Sequence, residues 1–441
     1  MICDTDGYLQ VKLAGLGLPS GYDFVVLKDG STYYALDGST GSTASSNASI
    51  STVLEYAITN GKNIAVMPGT YTITSPIDVP VSSEDISLIG GGSGTWADNG
   101  ATIFQQGANG NILNIDGSVL GTMIHKFTVQ GIKFYNSGRS YTGNAIEANY
   151  CNCLQLIDCG FRSITDYAIY LNKGCYAPII ERCRFQHCGD NTTTGDENKA
   201  TIYMVGDSGN DKITTPIIDK CVFEADHYRS IQCSVICTNA KIINNAFETG
   251  GDELPEVGIS GSFYRGSIIN NIFYDLTNHV CTAIQVSQDC KIINNYLYAY
   301  QIGIIGSDKQ IIAFNNLYDS SQYGIRHGGD FAIIKGNQLL SCGTDSYAGI
   351  RLQGDAKHNI ITSNQILECG TDGIILIAGC DRNIISKNMI CDNASSHTDD
   401  CIDVRSDNNL ISDNMIYDFY DVGNALNDTG AGNTDVDNIK V

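Results

Sequence analysis

The chain has 441 residues, of which 42% are hydrophobic and 17% charged, and its formal net charge at pH 7 is −22. The hydrophobic content supports a buried core, and no nucleic acid partner is expected because phosphates require a basic surface. No membrane insertion is expected either, since no apolar run is long enough to span a bilayer.

The start of the chain differs from the rest. Residues 2–6 lack the basic and apolar parts of a signal peptide, so no secretion by that route is expected. The N-terminal pattern then predicts four kinds of element. In chain order they are a β-hairpin over 22–38 with Asp29-Gly30 at its turn, a polar linker over 39–49, an amphipathic helix over 50–58, and buried strands with turns over 63–73 and 86–94.

The second half of the chain carries a repeat built on asparagine. Each Asn follows Ile-Ile-x-x or a close relative, and by subtraction consecutive positions lie 20 to 27 residues apart. This spacing indicates one coil of a parallel β-solenoid per repeat. Stacked buried Asn side chains are expected to share amide hydrogen bonds and to do no chemistry. The ladder is Ile132, Cys159, Cys183, Cys221, Asn245, Asn271, Asn295, Asn315, Asn337, Asn364, Asn388 and Asn414.

A second strand recurs in each coil, and its alternation predicts one outward-facing residue per coil. The outward column mixes aromatic, amide and basic groups, as a sugar-binding surface does, although a solvated sheet face would look similar. Its predicted members are Glu147, Tyr170, Tyr203, Cys237, Ser260, Gln285, Ile305, Arg326, Arg351, Ile375 and Asp403.

The 17 cysteines fall largely on coil columns, where packing explains them. Stacked cysteines on neighbouring coils can meet disulfide geometry, and Cys342 with Cys369 is the favoured pair. The spacing lacks Cys-x-x-Cys, so no metal site is assigned.

The order of helix, Val66-Met-Pro-Gly-Thr-Tyr-Thr-Ile73, Ser87-Leu-Ile-Gly-Gly-Gly92 and serial coils resembles the pectate-lyase-like right-handed parallel β-helix superfamily. The likeness covers roughly residues 48–440, and the later coils resemble its carbohydrate-binding and sugar-hydrolase repeats. The resemblance implies an all-β, single-stranded right-handed parallel β-helix of about a dozen coils. It also implies that the helix caps one end of the solenoid and that the partner is a polysaccharide.

The leading segment resembles attachment modules of phage or provirus tail proteins. This second resemblance implies a homotrimer and a location outside the cell or on a virion or cell surface. The expected organisation is an attachment and linker segment at 1–47, a capping helix with the first coils at 48–115, and regular coils at 116–441.

Two acidic groups compete as the catalytic site. In the first, Glu224 and Glu248 follow the Phe of consecutive coils, so they should stack outward one rung apart. This is near the ~5 to 5.5 Å separation of retaining glycosidases. Asp226 is the further acid of this group, and Tyr228 and Arg229 are expected to bind substrate. The alternative is a solvated acidic rim.

The second acidic group is Thr371-Asp372-Gly373-Ile374 with Thr398-Asp399-Asp400-Cys401-Ile402. It resembles the motifs of polygalacturonase-type glycosidases. Carried over, Asp400 is the general acid, and Asp372 with Asp399 holds the water. Gly370 replaces the motif's Asn, and neither Gly-His-Gly nor Arg-Ile-Lys is present, so coincidence is the alternative.

Two other functions stay open. A uronate lyase would use Arg326, His327 and Arg351 on adjacent coils, with calcium as its cofactor; otherwise no cofactor is expected. Tyr170 and Tyr203, on the outward column, are the further residues expected to bind substrate. A non-catalytic glycan-binding adhesin or a structural tail or surface protein fits the incomplete motifs equally.

Overall fold

The computed structural model describes residues 2–3, 9–10, 21–81, 83–93, 100–189, 199–206, 209, 211–225, 228–249, 255–275, 281–343, 347–392, 400–418 and 425–440. The chain forms two compact units, Met1–Val222 and Phe223–Val441. No helix within the described ranges is long and apolar enough to cross a membrane.

The first unit begins with strands Ile2–Cys3 and Leu9–Gln10, which pair antiparallel. The predicted hairpin is present as Phe24–Asp29 and Thr32–Asp37, with Asp29 opposite Thr32. Part of the predicted linker is instead a strand, Thr43–Asn47, paired with Thr32–Asp37. Its side chains are almost all exposed, so this edge strand has the polar composition of a loop.

The predicted helix is present as Ile50–Asn60. Its apolar face, which includes Val53, Leu54 and Ala57, is fully buried. The helix packs against the hairpin strands, Thr43–Asn47, Gly69–Ile73 and Ile77–Val79.

Each coil of the first unit contributes strands in chain order to three parallel sheets, called sheets A, B and C. Sheet A contains Asn63–Val66, Glu84–Gly90, Ile124–Gln130, Cys151–Asn152, Gln155–Ile157, Ile179–Glu181 and Ile217–Asp219. Sheet B contains Gly69–Ile73, Thr102–Gln106, Ile132–Tyr135, Gly160–Arg162 and Arg184–Gln186. Sheet C contains Ile77–Val79, Leu113–Asp116, Ile146–Asn149, Ile169–Leu171 and Ile202–Met204. The first unit also contains the short strand Ile213–Thr214 and the 3-10 turns Leu120–Thr122 and Ser137–Arg139.

The second unit repeats the same three-strand coil. Sheet A contains Lys241–Ile243, Gly266–Ile269, Cys290–Ile293, Ile311–Ala313, Ile333–Lys335, Ile360–Thr362, Ile384–Ser386, Leu410–Ser412 and Thr434–Val436. Sheet B contains Val222–Glu224, Ala246–Thr249, Ile272–Asp275, Tyr296–Tyr298, Asn316–Tyr318, Gln338–Leu340, Gln365–Leu367, Met389–Asp392, Met415–Asp418 and Ile439–Lys440. Sheet C contains Tyr228–Thr238, Pro255–Tyr264, Thr282–Ser287, Ile302–Gly306, Ile325–His327, Ile350–Leu352, Ile374–Leu376, Ile402–Val404 and Leu426–Asp428. The expected right-handed parallel β-helix is confirmed in each unit.

The asparagine ladder lies at the turn from sheet A to sheet B. Each residue before a ladder Asn has a positive φ, as at Ser363 with φ 57°, which turns the chain sharply. Asn337 Nδ2 donates to Asn364 Oδ1 at 2.9 Å and to the carbonyl of Ile312 at 2.9 Å. The same oxygen of Asn364 accepts the backbone N–H of Asn337 at 3.0 Å. The amides therefore satisfy one another without water, as the sequence predicts.

A second asparagine ladder, which the sequence analysis missed, lies at the turn before sheet A. Its members are Asn359, Asn383, Asn409 and Asn433. Each backbone N–H donates to the next Oδ1 at 2.7 to 2.8 Å.

Apolar side chains fill the interior of the coils. Phe161 stacks on Phe134 at 5.1 Å and on Phe185 at 4.9 Å in the first unit. Cys342 and Cys369, the favoured disulfide pair, are both buried, and no disulfide joins them.

The outward column on sheet C needs one correction. Cys237 was expected to face outward, yet its side chain is fully buried. Gln232 is the residue paired with Ser260, and the pairing register shifts by two residues between Cys233 and Cys237. Cys237 pairs with the buried Phe263 and lies on the inner side of the sheet.

Candidate functional site

Three carboxylates converge in the second unit. Strands Ile374–Leu376 and Ile402–Val404 pair in register, with Ile374 opposite Ile402. Asp372 and Asp400 each lie two residues before those isoleucines, so they occupy equivalent positions on neighbouring coils. Asp403 lies on the second strand, facing outward. One carboxylate oxygen from each of Asp372, Asp400 and Asp403 lies within 4.8 Å of the other two.

Arg405 binds this carboxylate cluster, which consists of Asp372, Asp400 and Asp403. Its Nε donates to Asp403 Oδ2 at 2.5 Å, and Nη2 lies 2.5 Å from the same oxygen. The hydrogen bond to Asp403 raises the pKa of Arg405, and the charges of all three carboxylates act in the same direction. Arg405 therefore stays charged and fixes the buried carboxylate of Asp403.

An open cleft of about 230 Å³ lies beside the cluster. Its lining residues are Tyr323, Ala348, Arg351, Thr371, Asp372, Ile375, Ile377 and Arg405. Arg351 Nη1 donates to the hydroxyl of Tyr323, and its guanidinium lies 5.2 Å from that ring's centroid. The buried Nε of Arg351 has no hydrogen-bond partner. Two oriented guanidinium groups in one cleft form a site suited to a carboxylate.

The other acidic group lies elsewhere in the second unit. Glu224 and Glu248 are on neighbouring strands of sheet B, where Phe223 and Phe247 stack at 4.7 Å. Glu224 is half-buried and Glu248 is exposed. The pair is not part of the carboxylate cluster on sheet C, and its role stays a prediction.

Two predicted acids, Asp226 and Asp399, lie outside the described residues. Tyr228 belongs to strand Tyr228–Thr238, and Arg229 on the same strand is half-buried.

Two of the three residues assigned to a lyase site are on the outward column. Arg326 pairs in register with Arg351, so the two arginines are neighbours. His327 instead points into the core, where it is fully buried and its Nε2 lies 3.0 Å from the carbonyl of Gly329. Burial lowers the pKa of His327 to about 4. This position argues against the direct sugar contact expected for it.

The first unit has a cleft of its own, about 350 Å³ in volume. Its lining residues are Asp78, Val79, Asn111, Asn114, Asp116, Glu147 and Asn149. Of these, only Glu147 was among the residues predicted from the sequence to face outward. Tyr170 follows Glu147 in register on the next coil, and Tyr203 follows Tyr170.

The geometry of the coils agrees with known proteins. Residues 281–441 match the family model described as a right handed beta helix region. The fold is a right-handed parallel β-helix. No curated protein sequence matches the chain.

The solved structures that this chain is similar to are remote in sequence. ORF18 of Geobacillus virus E2 is 14% identical, with a TM-score of 0.48 over 69% of this chain and 56% of that one. DFA-IIIase from Arthrobacter chlorophenolicus A6, in complex with GF2, is 11% identical, with a TM-score of 0.46 over 76% of this chain and 90% of that one. Bacteriophage CBA120 tailspike protein 3 is 10% identical, with a TM-score of 0.43 over 87% of this chain and 56% of that one. The chain thus spans little more than half of either viral protein.

Within the β-helix, the coil periodicity explains which site residues the sequence revealed. Asp372 and Asp400 were predicted together, and the structure brings them together. Asp403 was assigned only to the outward column, and Arg405 was missed. The signal for Arg405 was present, because a residue two positions after Asp403 in an extended segment lies on the same side.

Proposed function

We propose that this protein binds an anionic polysaccharide in the cleft beside Arg351 and Arg405 and hydrolyses a glycosidic bond there. The observation that carries the proposal is the convergence of the Asp372, Asp400 and Asp403 carboxylate oxygens within 4.8 Å. Paired carboxylates are the groups by which most glycosidases protonate the leaving oxygen and activate water.

The carboxylate cluster has more acidic than basic groups. Three carboxylates face one adjacent guanidinium, so the acids repel one another. Asp400 is the most exposed of the three acids, whereas Asp372 and Asp403 are 5% and 1% exposed. Because its carboxyl group is the most accessible of the three from solvent, Asp400 is assigned as the general acid.

The reaction follows from these roles. Asp400 gives its proton to the glycosidic oxygen as the bond from that oxygen to the anomeric carbon breaks. A water molecule attacks the same carbon and loses a proton to Asp372. Asp403 with Arg405 acts as a positioning pair, since Arg405 holds the carboxylate of Asp403 in place.

The substrate class follows from the cleft. The whole chain carries a net charge of −22, which repels polyanions at long range. Arg351 and Arg405 reverse this locally, and a uronate carboxylate matches the planar fork of a guanidinium. Binding of an acidic sugar in this cleft should therefore weaken as ionic strength rises.

Elimination is the second candidate, and the register of Arg326 and Arg351 favours it. In that reaction the uronate carboxylate is neutralised, a base removes the proton beside it, and the glycosidic oxygen leaves to give an unsaturated sugar. The carboxylate cluster has the oxygen ligands that calcium prefers. The metal would supply charge neutralisation for the substrate.

The test is incubation of the full chain with polygalacturonate, alginate and neutral xylan, each with calcium or with a chelator. Reducing ends without unsaturated products support hydrolysis, and Asp400→Asn and Asp372→Asn should then abolish them. Glu224→Gln and Glu248→Gln are the matched acid controls, and they should leave activity unchanged. Loss of activity in the glutamate variants alone would overturn the assignment.

Two other outcomes are equally decisive. Unsaturated products that require calcium and Arg351 would replace hydrolysis with elimination. Binding of a uronate polymer without any product would make the protein an adhesin.

We also propose, from the resemblance of the leading segment, a homotrimer that acts outside the cell or on a virion surface. Light scattering on the full chain and on a variant that lacks residues 1–47 tests whether that segment assembles it.

A further inference from the structure

The outer face of sheet C in the first unit carries five polar or aromatic residues on consecutive coils. Asp78, Asn114, Glu147, Tyr170 and Tyr203 occupy the same register position, each directly opposite the next. Adjacent parallel strands lie about 4.8 Å apart, so this strip extends over about 19 Å. The strip is long enough for a short oligosaccharide.

The acidic end of the strip forms the wall of the first unit's cleft. Asn111 Nδ2 donates to Glu147 Oε2 at 2.8 Å and to Asn114 Oδ1 at 2.9 Å. Asn114 Nδ2 in turn donates to Asp78 Oδ1 at 2.8 Å. The side chains are held in fixed positions by one another, which lowers the entropic cost of ordering them around a ligand.

The other end of the strip is aromatic. Tyr170 stacks with Tyr167 at 5.1 Å and with Tyr203 at 5.8 Å, and Tyr167 stacks with Tyr203 at 4.8 Å. Tyr170 is half-buried, so part of its ring is open to solvent, whereas Tyr203 is buried. Tyr170 therefore offers an aromatic platform directly beside the hydrogen-bonding groups of the cleft.

We infer that this strip is a second glycan-binding site, distinct from the carboxylate cluster, and that it takes a neutral oligosaccharide. Carboxylates accept hydrogen bonds from sugar hydroxyls, and amides both accept and donate them. An aromatic ring packs against the apolar face of a sugar. No lysine, arginine or histidine is among the described residues that line the cleft, so an acidic sugar would be repelled by Asp78, Asp116 and Glu147.

A bound cation is a poorer explanation of these acids. Within the described part of the chain, only the carboxylates of Asp372, Asp400 and Asp403 converge closely enough to share a metal ion. The acids of the first unit's cleft are instead spread along the strip and bridged by asparagine amides.

The two clefts of the protein therefore differ in charge, and the inference does not rest on the proposed hydrolysis. The site of the first unit is expected to select neutral sugars even if the second unit proves inactive.

Isothermal titration of the full chain with neutral xylo-, cello-, malto- and manno-tetraose tests the inference. At least one should bind, with little dependence on salt. Tyr170→Ala should weaken that binding about tenfold, the loss expected for removal of one stacking ring. Tyr170→Phe keeps the ring and should bind nearly as well as the unaltered protein.

Two further variants separate binding from folding. Asp78→Asn changes an exposed side chain at the cleft and should weaken binding without a change in the melting temperature. Arg351→Ala, in the other cleft, should leave neutral tetraose binding unchanged. Binding by none of the four sugars, or binding that is lost in Arg351→Ala and kept in Tyr170→Ala, would overturn the inference.

Discussion

Arg405 holds the carboxylate of Asp403 through two contacts of 2.5 Å, although the Arg405 side chain is 56% exposed and Asp403 is almost wholly buried. The pair thus joins a solvent-facing cation to a carboxylate that has little access to water. Asn427 Nδ2 also donates to that carboxylate, at 3.3 Å.

Arg405→Gln is expected to lower the free energy of unfolding by about 1.5–3 kcal/mol, because it removes a charged hydrogen bond from a buried acid. Denaturant unfolding at pH 7 measures the change. Arg382→Gln, at an exposed arginine whose side chain makes no hydrogen bond or ion pair with the described residues, should alter stability by less than about 0.5 kcal/mol. Equal losses in the two variants would contradict the role assigned to Arg405.

Arg351→Lys keeps the positive charge but loses the planar fork that lies against Tyr323. Binding of a uronate oligosaccharide is expected to weaken about tenfold, with little change in folding stability. Arg265→Lys is the matched control, since Arg265 also lies over a tyrosine ring, that of Tyr264 at 5.0 Å, but outside the cleft. Titration calorimetry at two ionic strengths would show whether the charge or the planar geometry of Arg351 determines the affinity for the uronate.

Asn337→Ala should cost about 3 kcal/mol or more, because it leaves the amide of Asn315 and the carbonyl of Ile312 without their partners in the core. Asn316→Ala, one residue beyond the neighbouring ladder position, removes a half-buried side chain and should be close to neutral. Thermal and denaturant unfolding of both variants test the contrast. A mild effect of Asn337→Ala would mean that water replaces the ladder amide.

His327 gives stability a dependence on pH. Its pKa falls from 6.5 to about 4 on folding, so the unfolded chain binds the proton more tightly. Stability is therefore fully present above about pH 6.5 and is lost as the pH falls towards 4, by about 3 kcal/mol from this group. His327→Gln should flatten that part of the profile, whereas His358→Gln, at an exposed histidine, should not.

The cysteines should differ in reactivity by access. Of the sixteen cysteines from Cys151 to Cys401, fourteen are buried, and burial raises the pKa of several, that of Cys175 to about 12. Among these sixteen, iodoacetamide should therefore modify Cys153 and Cys391 first in the native protein. Peptide mass spectrometry resolves the sites.

Cys342 tests whether access or thiol pKa controls the labelling. A hydrogen bond from Cys369 lowers the pKa of Cys342, which on its own would favour reaction. Its complete burial should nevertheless keep it unmodified until the protein unfolds. Rapid labelling of Cys342 would show that the coils open locally.

The sequence revealed the parts of the fold that repeat. The ladder from Asn245 to Asn414 was visible because one residue type recurs at one place in each coil, and stacking then dictates its contacts. In the second ladder, which includes Asn359 and Asn383, an Asn also recurs at one place in the coil, directly before the sheet A strand. It was missed because it has only four members. Cys237 was placed on the wrong side because the residue in register with Ser260 is Gln232, in an earlier part of the long strand Tyr228–Thr238.

The residues of the candidate site were predictable where they belong to a repeated position in the coils. Asp372 and Asp400 carry a motif, and the coil period brings them together. Arg405 required knowledge of which side of the extended chain follows Asp403. The cleft at Asp78 and Asn114 was missed because the first coils lack a sequence repeat, so their register could not be aligned with later coils.

The ladder asparagines stack at equivalent positions although the chain between them varies from 20 to 27 residues. That variation lies between the ladder turns, in the connections and in the lengths of the sheet C strands, while the hydrogen bonds of the ladder are the same in each coil. Insertions and deletions between ladder positions can thus change what a coil presents to its surroundings at small cost to folding. In a protein built this way, binding specificity can change through the connections of one coil at a time, while the ladder hydrogen bonds stay the same.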